Sequence, residues 1–109
     1  MDLKDKRIIV TGSGRGMGEA SLIVFVKAGA NVIGMDINDE MGSSVCETAN
    51  KIGPGSSSYL HVDVSNHQSV KDSFSKAVDI LGGLDVLAHP AAIQSSSDAG
   101  SVSVDDWDH

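Results

Sequence analysis

The chain has 109 residues, and its 15 acidic residues outnumber its 8 basic ones, which gives a net charge of −7. This length predicts a single domain, and the absence of clustered Lys and Arg argues against a nucleic-acid partner. The longest apolar runs are far shorter than a membrane span, and no apolar signal region follows Met1. Cys46 stands alone, which excludes an internal disulfide and a cysteine-based metal site. We therefore expect a cytoplasmic protein without a membrane or metal partner.

Apolar runs alternate with stretches of helical periodicity along the first 93 residues. Four apolar runs predict buried strands at residues 7–11, 31–35, 59–62 and 84–88. The stretches between them predict helices at residues 19–28, at 39–52 and from Ser65 or Asn66 to about residue 81. The three serines at 56–58 are interpreted as a polar loop. This order predicts an α/β fold, namely a Rossmann-like doubly wound parallel sheet with the strand order 3-2-1-4.

The composition changes at about residue 94. Residues 94–101 are small and polar, which is typical of a loop, and Ser103 is placed to cap a helix of which only residues 104–109 follow. An isolated helix needs roughly 12–15 residues to be even marginally stable. We therefore predict a β-α-β-α-β-α-β unit at residues 1–93, then a loop and the start of a truncated helix at residues 94–109. The sheet is expected to be truncated after about four strands, as in the first half of a larger protein.

A glycine-rich turn, residues 11–18, lies between the first strand and the first helix. Such a turn presents free backbone N–H groups and the positive end of a helix dipole to an anion. The spacing is T-G-x-x-x-G-x-G, because Met17 occupies the third glycine position of the commoner G-x-G-x-x-G pattern. Gly18 is followed by Glu19 and Ala20 rather than by Lys and Ser or Thr, which excludes a nucleotide-hydrolysing P-loop. The turn predicts a site for the pyrophosphate of a dinucleotide, so residues 1–93 are predicted to form a dinucleotide-binding unit.

Asp36 is a second, independent signal at the end of the second strand. It lies 18 residues beyond Gly18, where a carboxylate accepts hydrogen bonds from both ribose hydroxyls of an adenosine and repels a 2′-phosphate. Arg15 acts in the opposite sense, because a guanidinium near the turn attracts a 2′-phosphate. We give Asp36 more weight, since like charges exclude one another strongly when desolvated, whereas an exposed arginine can swing away. The prediction is NAD rather than NADP.

These features resemble the N-terminal part of classical short-chain dehydrogenases/reductases. The family's cofactor turn matches Thr11 to Gly18 without a gap, and its acidic residue after the second strand, which marks the NAD-preferring branch, matches Asp36. Its Asp-Val pair beside the adenine ring matches Asp63-Val64. The resemblance implies hydride transfer between a nicotinamide cofactor and an alcohol or ketone, in a homo-oligomer. It implies these cofactor-binding residues: Gly12, Ser13, Arg15, Gly16, Met17, Gly18, Asp36, Ile37, Asp63, Val64, His89 and Ala91.

The chain departs from the family in the segment after the fourth strand. The family's Asn-Asn-Ala-Gly corresponds here to residues 89–92, of which only Ala91 is retained. In the family the first Asn helps to tie the central strands together and supports the catalytic network. We expect a structural or cofactor-adjacent role for His89, and Pro90 restricts the turn that follows.

The family's catalytic residues lie beyond the end of this sequence. There is no Tyr-x-x-x-Lys, and the single tyrosine, Tyr59, is followed by an unrelated sequence. The family uses that Tyr, assisted by the Lys, as acid and base during hydride transfer. No catalytic residue is therefore predicted, and these 109 residues alone are expected to be inactive.

Three hypotheses follow. The first is the cofactor-binding part of an NAD-dependent oxidoreductase. The second is a short nucleotide-binding or interaction module without catalysis. The third, a Rossmann-like methyltransferase, is disfavoured by the glycine spacing and by the Asp63-Val64 pair. The histidines show no metal-ligand spacing with one another or with Cys46.

Overall fold

A computed structural model describes residues 2–89, so the predicted segment 94–109, Ala91 and the helix start at Ser103 lie outside the described residues. Within residues 2–89, no helix is long and apolar enough to cross a membrane. The strands and helices alternate as predicted, with these bounds: β1 Arg7–Thr11, α1 Gly16–Lys27, β2 Asn31–Asp36, α2 Asp39–Ile52, β3 Ser56–His61, α3 His67–Leu81 and β4 Val86–Ala88.

The four strands form one parallel sheet in the order β3-β2-β1-β4, which confirms the predicted topology. In this register Ile9 of β1 lies opposite Ile33 of β2 and Leu87 of β4. Thr11 lies opposite Met35, so β1 and β2 end at the same edge. The turns that follow β1, β2 and β3 therefore meet at one edge of the sheet, here called the carboxyl edge.

Helices cover both faces of the sheet, which explains why the middle of β1, residues 8–10, is continuously apolar and buried. Successive side chains of a strand point to opposite faces. Ile8 and Val10 pack in one cluster with residues of α1 and α2, while Ile9 packs in the other with residues of α3. Cys46 is a buried member of the first cluster, consistent with a small apolar filler on a helix.

The prediction of a polar loop at residues 56–58 is wrong, because β3 begins at Ser56. Ser57 is buried, and its polar groups have hydrogen-bond partners on α2. The Asn50 side chain accepts a hydrogen bond from the Ser57 N–H at 2.7 Å and donates to the Ser57 carbonyl at 3.0 Å. The Ser57 hydroxyl donates to the Cys46 carbonyl at 3.1 Å. A hydroxyl with such partners is tolerated in a buried strand, although its polarity resembles that of a loop.

At the opposite edge of the sheet, Arg7 and Asp85 join the start of β1 to the segment before β4. Arg7 Nε and Nη2 donate to the two carboxylate oxygens of Asp85, each at 3.1 Å, and Nη1 donates to the Gly82 carbonyl at 3.0 Å. The backbone N–H of Arg7 also donates to Asp85 at 2.8 Å. These hydrogen bonds from Arg7 hold the pKa of Asp85 at about 2, below its ordinary value of 3.8.

We expect the Arg7–Asp85 pair to make the stability of the fold depend on acidic pH. Because the pKa of Asp85 is lower in the folded state, its contribution is present above about pH 4 and is lost as the pH falls towards 2. Asp85→Asn should lower the melting temperature at pH 7 and leave little difference from wild type near pH 2. Thermal unfolding followed by circular dichroism measures this. Asp79→Asn, at an exposed position of α3, is the control; a pH-independent deficit in Asp85→Asn contradicts the prediction.

Candidate functional site

Glycines give the turn between β1 and α1 its shape. Gly12 and Gly16 have φ values of +66° and +61°, in the left-handed region that side chains disfavour. Gly18, inside α1, lies so close to the preceding chain that a Cβ would be 1.9 Å from the Gly12 carbonyl oxygen. The first turn of α1 therefore packs directly on the end of β1.

The first turn of α1 presents backbone donors at the carboxyl edge. The N-cap residue Arg15 makes no side-chain hydrogen bond to the helix, so the first N–H groups of α1 are left without that partner. The positive end of the helix dipole lies at the same place. Arg15 and Met17 are exposed beside it. This end of α1 is chemically suited to an anion such as a phosphate.

The structure turns the Ser13 side chain away from the open side of the turn. Ser13 is fully buried, and its N–H donates to the Met35 carbonyl at 3.1 Å, with its hydroxyl directed to the same oxygen. Ser13 therefore fastens the turn to β2. Any contact of Ser13 with a ligand would have to come from its backbone.

Asp36 lies beside the turn, at the end of β2. One carboxylate oxygen accepts a hydrogen bond from the Gly14 N–H at 2.8 Å, and the other accepts from the Asn38 N–H at 2.9 Å. The Asp36 carbonyl accepts from the Val62 N–H at 3.0 Å. Each carboxylate oxygen has two acceptor sites, so the oriented and half-exposed side chain keeps capacity for further donors.

A cleft of about 170 Å³ opens between the glycine turn and the ends of β2 and β3. Ile37 and Val64 lie on its walls, and each side chain is 60% exposed. Such a pair of exposed apolar walls suits a flat, largely apolar ring. The lining residues are Gly12, Asp36, Ile37, Val62 and Val64.

The Asp63 carboxylate is engaged by its own loop rather than lining this cleft. It accepts hydrogen bonds from the Ser65 N–H at 3.0 Å and from the Ser65 hydroxyl at 2.6 Å, and these lower the pKa of Asp63. The Asp63 N–H donates to the Ser69 hydroxyl at 3.1 Å. Asp63 thus shapes the loop that presents Val64.

His89 follows β4 and links it to β1. Its Nδ1 is hydrogen-bonded to the hydroxyl of Thr11, the last residue of β1. Burial lowers the pKa of His89, which favours the neutral ring. This contact ties β4, at the edge of the sheet formed by residues 2–89, to β1 at the carboxyl edge. The structural or cofactor-adjacent role of His89 stays a prediction.

The structure thus brings the glycine turn, Asp36, Ile37 and Val64 together at one edge, and it adds two residues that the sequence prediction omits. Gly14 acts through its N–H, and Val62 lines the cleft. Gly14 occupies an unspecified position of the spacing pattern, and Val62 has the appearance of an ordinary strand residue. Ala91 lies outside the described part of the chain. Within residues 2–89, no three metal-binding side chains are grouped.

The fold and this turn define a Rossmann-type α/β protein. A family model described as short chain dehydrogenase matches residues 6–109. The chain belongs to the short-chain dehydrogenase family.

Relatives of known activity match this chain along nearly all of its length. The 3-oxoacyl-acyl-carrier-protein reductase of Chlamydia pneumoniae is 36% identical over 105 residues, which are 96% of this chain and 42% of the relative. The meso-2,3-butanediol dehydrogenase of Serratia marcescens is 33% identical over 107 residues, 98% of this chain and 41% of the relative. The chain therefore spans about two fifths of the length of these relatives.

Solved structures of the family have the same fold. A hydroxysteroid dehydrogenase from Escherichia coli superposes with a TM-score of 0.75 at 31% identity, covering 79% of this chain and 35% of that one. A short-chain type dehydrogenase/reductase from Mycobacterium ulcerans gives a TM-score of 0.79 at 23% identity, covering 83% and 34% of the two chains. The second likeness concerns the fold alone.

Proposed function

We propose that this chain is the cofactor-binding part of an NAD-dependent oxidoreductase that transfers a hydride between the cofactor and an alcohol or ketone. One observation carries the proposal: the oriented Asp36 carboxylate, the apolar cleft and the open first turn of α1 share one edge of the sheet. A dinucleotide needs these three features together, for its ribose, its adenine and its pyrophosphate.

The residues at this edge fit such a cofactor. Gly12 and Gly16 are exposed and carry no side chain that would block an approaching anion, and the first N–H groups of α1 would bind the pyrophosphate. Ile37 and Val64 would hold the adenine between them, and Asp36 would accept hydrogen bonds from the ribose hydroxyls. When bound, the cofactor supplies the hydride acceptor or donor. The chain's own task is to bind and orient it, and residues 1–93 would form this unit.

The preference for NAD over NADP would come from charge. A 2′-phosphate would place negative charge against the Asp36 carboxylate, and like charges at short range repel more strongly where water is excluded. Arg15 is exposed to solvent, where its charge is screened. We therefore assign the discrimination to Asp36.

The remaining parts of the proposal concern the complete protein. Its substrate would be a small alcohol or ketone, and it would act as a homo-oligomer in the cytoplasm. His89 would stand beside the cofactor while holding Thr11, and Ala91 would belong to the same segment. The acid and base would not be among these 109 residues, which contain no Tyr-x-x-x-Lys.

The test is a titration of the full 109-residue chain with NADH, followed by NADH fluorescence. We expect saturable binding that ADP-ribose reverses and that nicotinamide mononucleotide reverses only weakly, because the adenosine half would fill the cleft. We also expect no turnover of alcohols or ketones, since positioned proton transfer usually contributes about 10²–10⁴-fold. Absence of binding, or equal competition by both fragments, would refute the proposed site. Robust turnover would refute the assignment of catalysis to other residues.

A further inference from the structure

A polar cluster stands behind Asp36, on the side of β2 away from the glycine turn. The Tyr59 hydroxyl lies 2.7 Å from the Asp36 carbonyl oxygen and 2.6 Å from Asp39 Oδ1. His61 Nδ1 lies 2.7 Å from the same Asp39 oxygen. Tyr59 and His61 belong to β3, and Asp39 begins α2, so the cluster joins three elements at the point where Asp36 ends β2.

We propose that Tyr59 is a positioning residue for Asp36, and that through Asp36 it sets the discrimination between NAD and NADP. This inference rests on the proposed cofactor site. The Asp36 carbonyl has two donors, the Val62 N–H and the Tyr59 hydroxyl. Its carboxylate is held by two further N–H groups. Tyr59 is the one side chain among these four donors, so a substitution can remove its hydroxyl without changing the backbone.

The Tyr59 ring is held in place by close packing on α2. A Cβ added at Gly42 would lie 2.1 Å from the Tyr59 Cε1 atom, so the ring lies directly against the backbone of the helix. A ring fixed in this way delivers its hydroxyl to one position, and the hydrogen bond costs little side-chain freedom. The glycine at position 42 is what permits this approach.

Tyr59 and Asp39 stay in the protonation states that their hydrogen bond needs. Burial, followed by the neighbouring Asp39 carboxylate, raises the pKa of Tyr59, which keeps its hydroxyl a donor. The hydrogen bond from Tyr59, followed by that from His61, lowers the pKa of Asp39, which keeps its carboxylate an acceptor. The single hydroxyl proton is thus shared between the Asp36 carbonyl and the Asp39 carboxylate. Tyr59 couples the end of β2 to the start of α2.

The test compares Tyr59→Phe with wild type in the full chain. The phenylalanine ring keeps the contact with Gly42 and removes only the hydroxyl. We expect NAD affinity to fall by about three- to tenfold, the range of one net hydrogen bond, while NADP affinity changes less. The ratio of the dissociation constant for NADP to that for NAD should therefore become smaller. Loss of a merely structural contact would weaken both cofactors equally, so the ratio separates the two roles.

Ser56→Ala is the matched control, because it also removes a hydroxyl from β3. That hydroxyl donates to Asn31 Oδ1 at 3.0 Å, at the opposite end of β2, and its loss should leave the ratio unchanged. Gly42→Ala is a second variant, which displaces the Tyr59 ring with its hydroxyl intact and should shrink the ratio as Tyr59→Phe does. If Tyr59→Phe fails to fold, the ratio measured for Gly42→Ala tests the role of Tyr59 instead.

The outcomes are distinguishable. A wild-type chain that binds neither cofactor refutes the proposed function, and this inference falls with it. A wild-type chain that prefers NAD, with an unchanged ratio in Tyr59→Phe, leaves the proposed function standing and overturns the role of Tyr59. Equal weakening of both cofactors also overturns that role. A smaller ratio in Tyr59→Phe, with an unchanged ratio in Ser56→Ala, supports it.

Discussion

Gly18→Ala is expected to abolish cofactor binding and to lower the free energy of unfolding by about 1–3 kcal/mol, the usual cost of forcing extra atoms into a packed site. The new Cβ would lie 1.9 Å from the Gly12 carbonyl oxygen and 3.1 Å from the Ser13 Cα atom. Both are backbone atoms, so no side-chain rotation relieves the overlap. The first turn of α1 must move away from β1, which carries its N–H groups away from the proposed pyrophosphate position.

Gly16→Ala is the matched control in the same turn. A Cβ at Gly16 meets nothing within 4 Å, although the φ of +61° is unfavourable for alanine. Gly16→Ala therefore introduces backbone strain without steric overlap, whereas Gly18→Ala introduces steric overlap. Urea unfolding and NADH titration of both variants measure the two effects. We expect Gly18→Ala to be the more damaging in both assays, and equal losses would show that conformational strain, rather than close approach of α1 to β1, limits this turn.

Asp36→Ala is expected to lower NAD affinity by roughly 10- to 100-fold, which corresponds to the loss of charged hydrogen bonds to the ribose. NADP affinity should change little or rise, because the repulsion of its 2′-phosphate disappears with the carboxylate. The gap between the two cofactors should therefore narrow. Parallel titrations with NADH and NADPH measure it.

Glu40→Gln is the control for Asp36→Ala, because it removes a neighbouring exposed charge from the first turn of α2. It should leave the preference for NAD nearly unchanged, since charges exposed to solvent are screened. A wild-type protein that binds NADH and NADPH equally would show that Arg15 outweighs Asp36, and the proposed basis of the preference would be wrong.

Strand order and the three helices follow from the sequence because each strand contains a short apolar run and two of the helices begin at recognisable caps. Asn38 and Asn66 cap α2 and α3, each accepting a hydrogen bond from a backbone N–H three residues on. The start of β3 does not follow from the sequence, since Ser57 is buried through partners on α2 that hydropathy does not reveal.

The sequence predicts where the residues of the proposed site lie in the fold, but not which way their side chains point. The glycine turn and Asp36 both lie at the carboxyl edge, as the predicted topology requires. A pattern of residue types does not tell which way a side chain points. The contacts of Ser13 with Met35 and of Asp63 with Ser65 therefore could not be predicted. The bond from the Gly14 N–H to Asp36 is invisible to such patterns, because every residue except proline carries that donor.

The Arg7–Asp85 pair lies at the amino edge of the sheet, whereas the glycine turn, Asp36 and the cleft of the proposed cofactor site lie at the carboxyl edge. Natural proteins are rarely at their stability optimum, and stabilising changes usually lose activity where they stiffen the functional site. Because the Arg7–Asp85 pair and the proposed cofactor site lie at opposite edges of the sheet, the stability of the fold can be altered by substitutions that do not touch the site. We expect substitutions around the amino ends of β1 and β4 to change the melting temperature while the turns at the carboxyl edge keep their native flexibility.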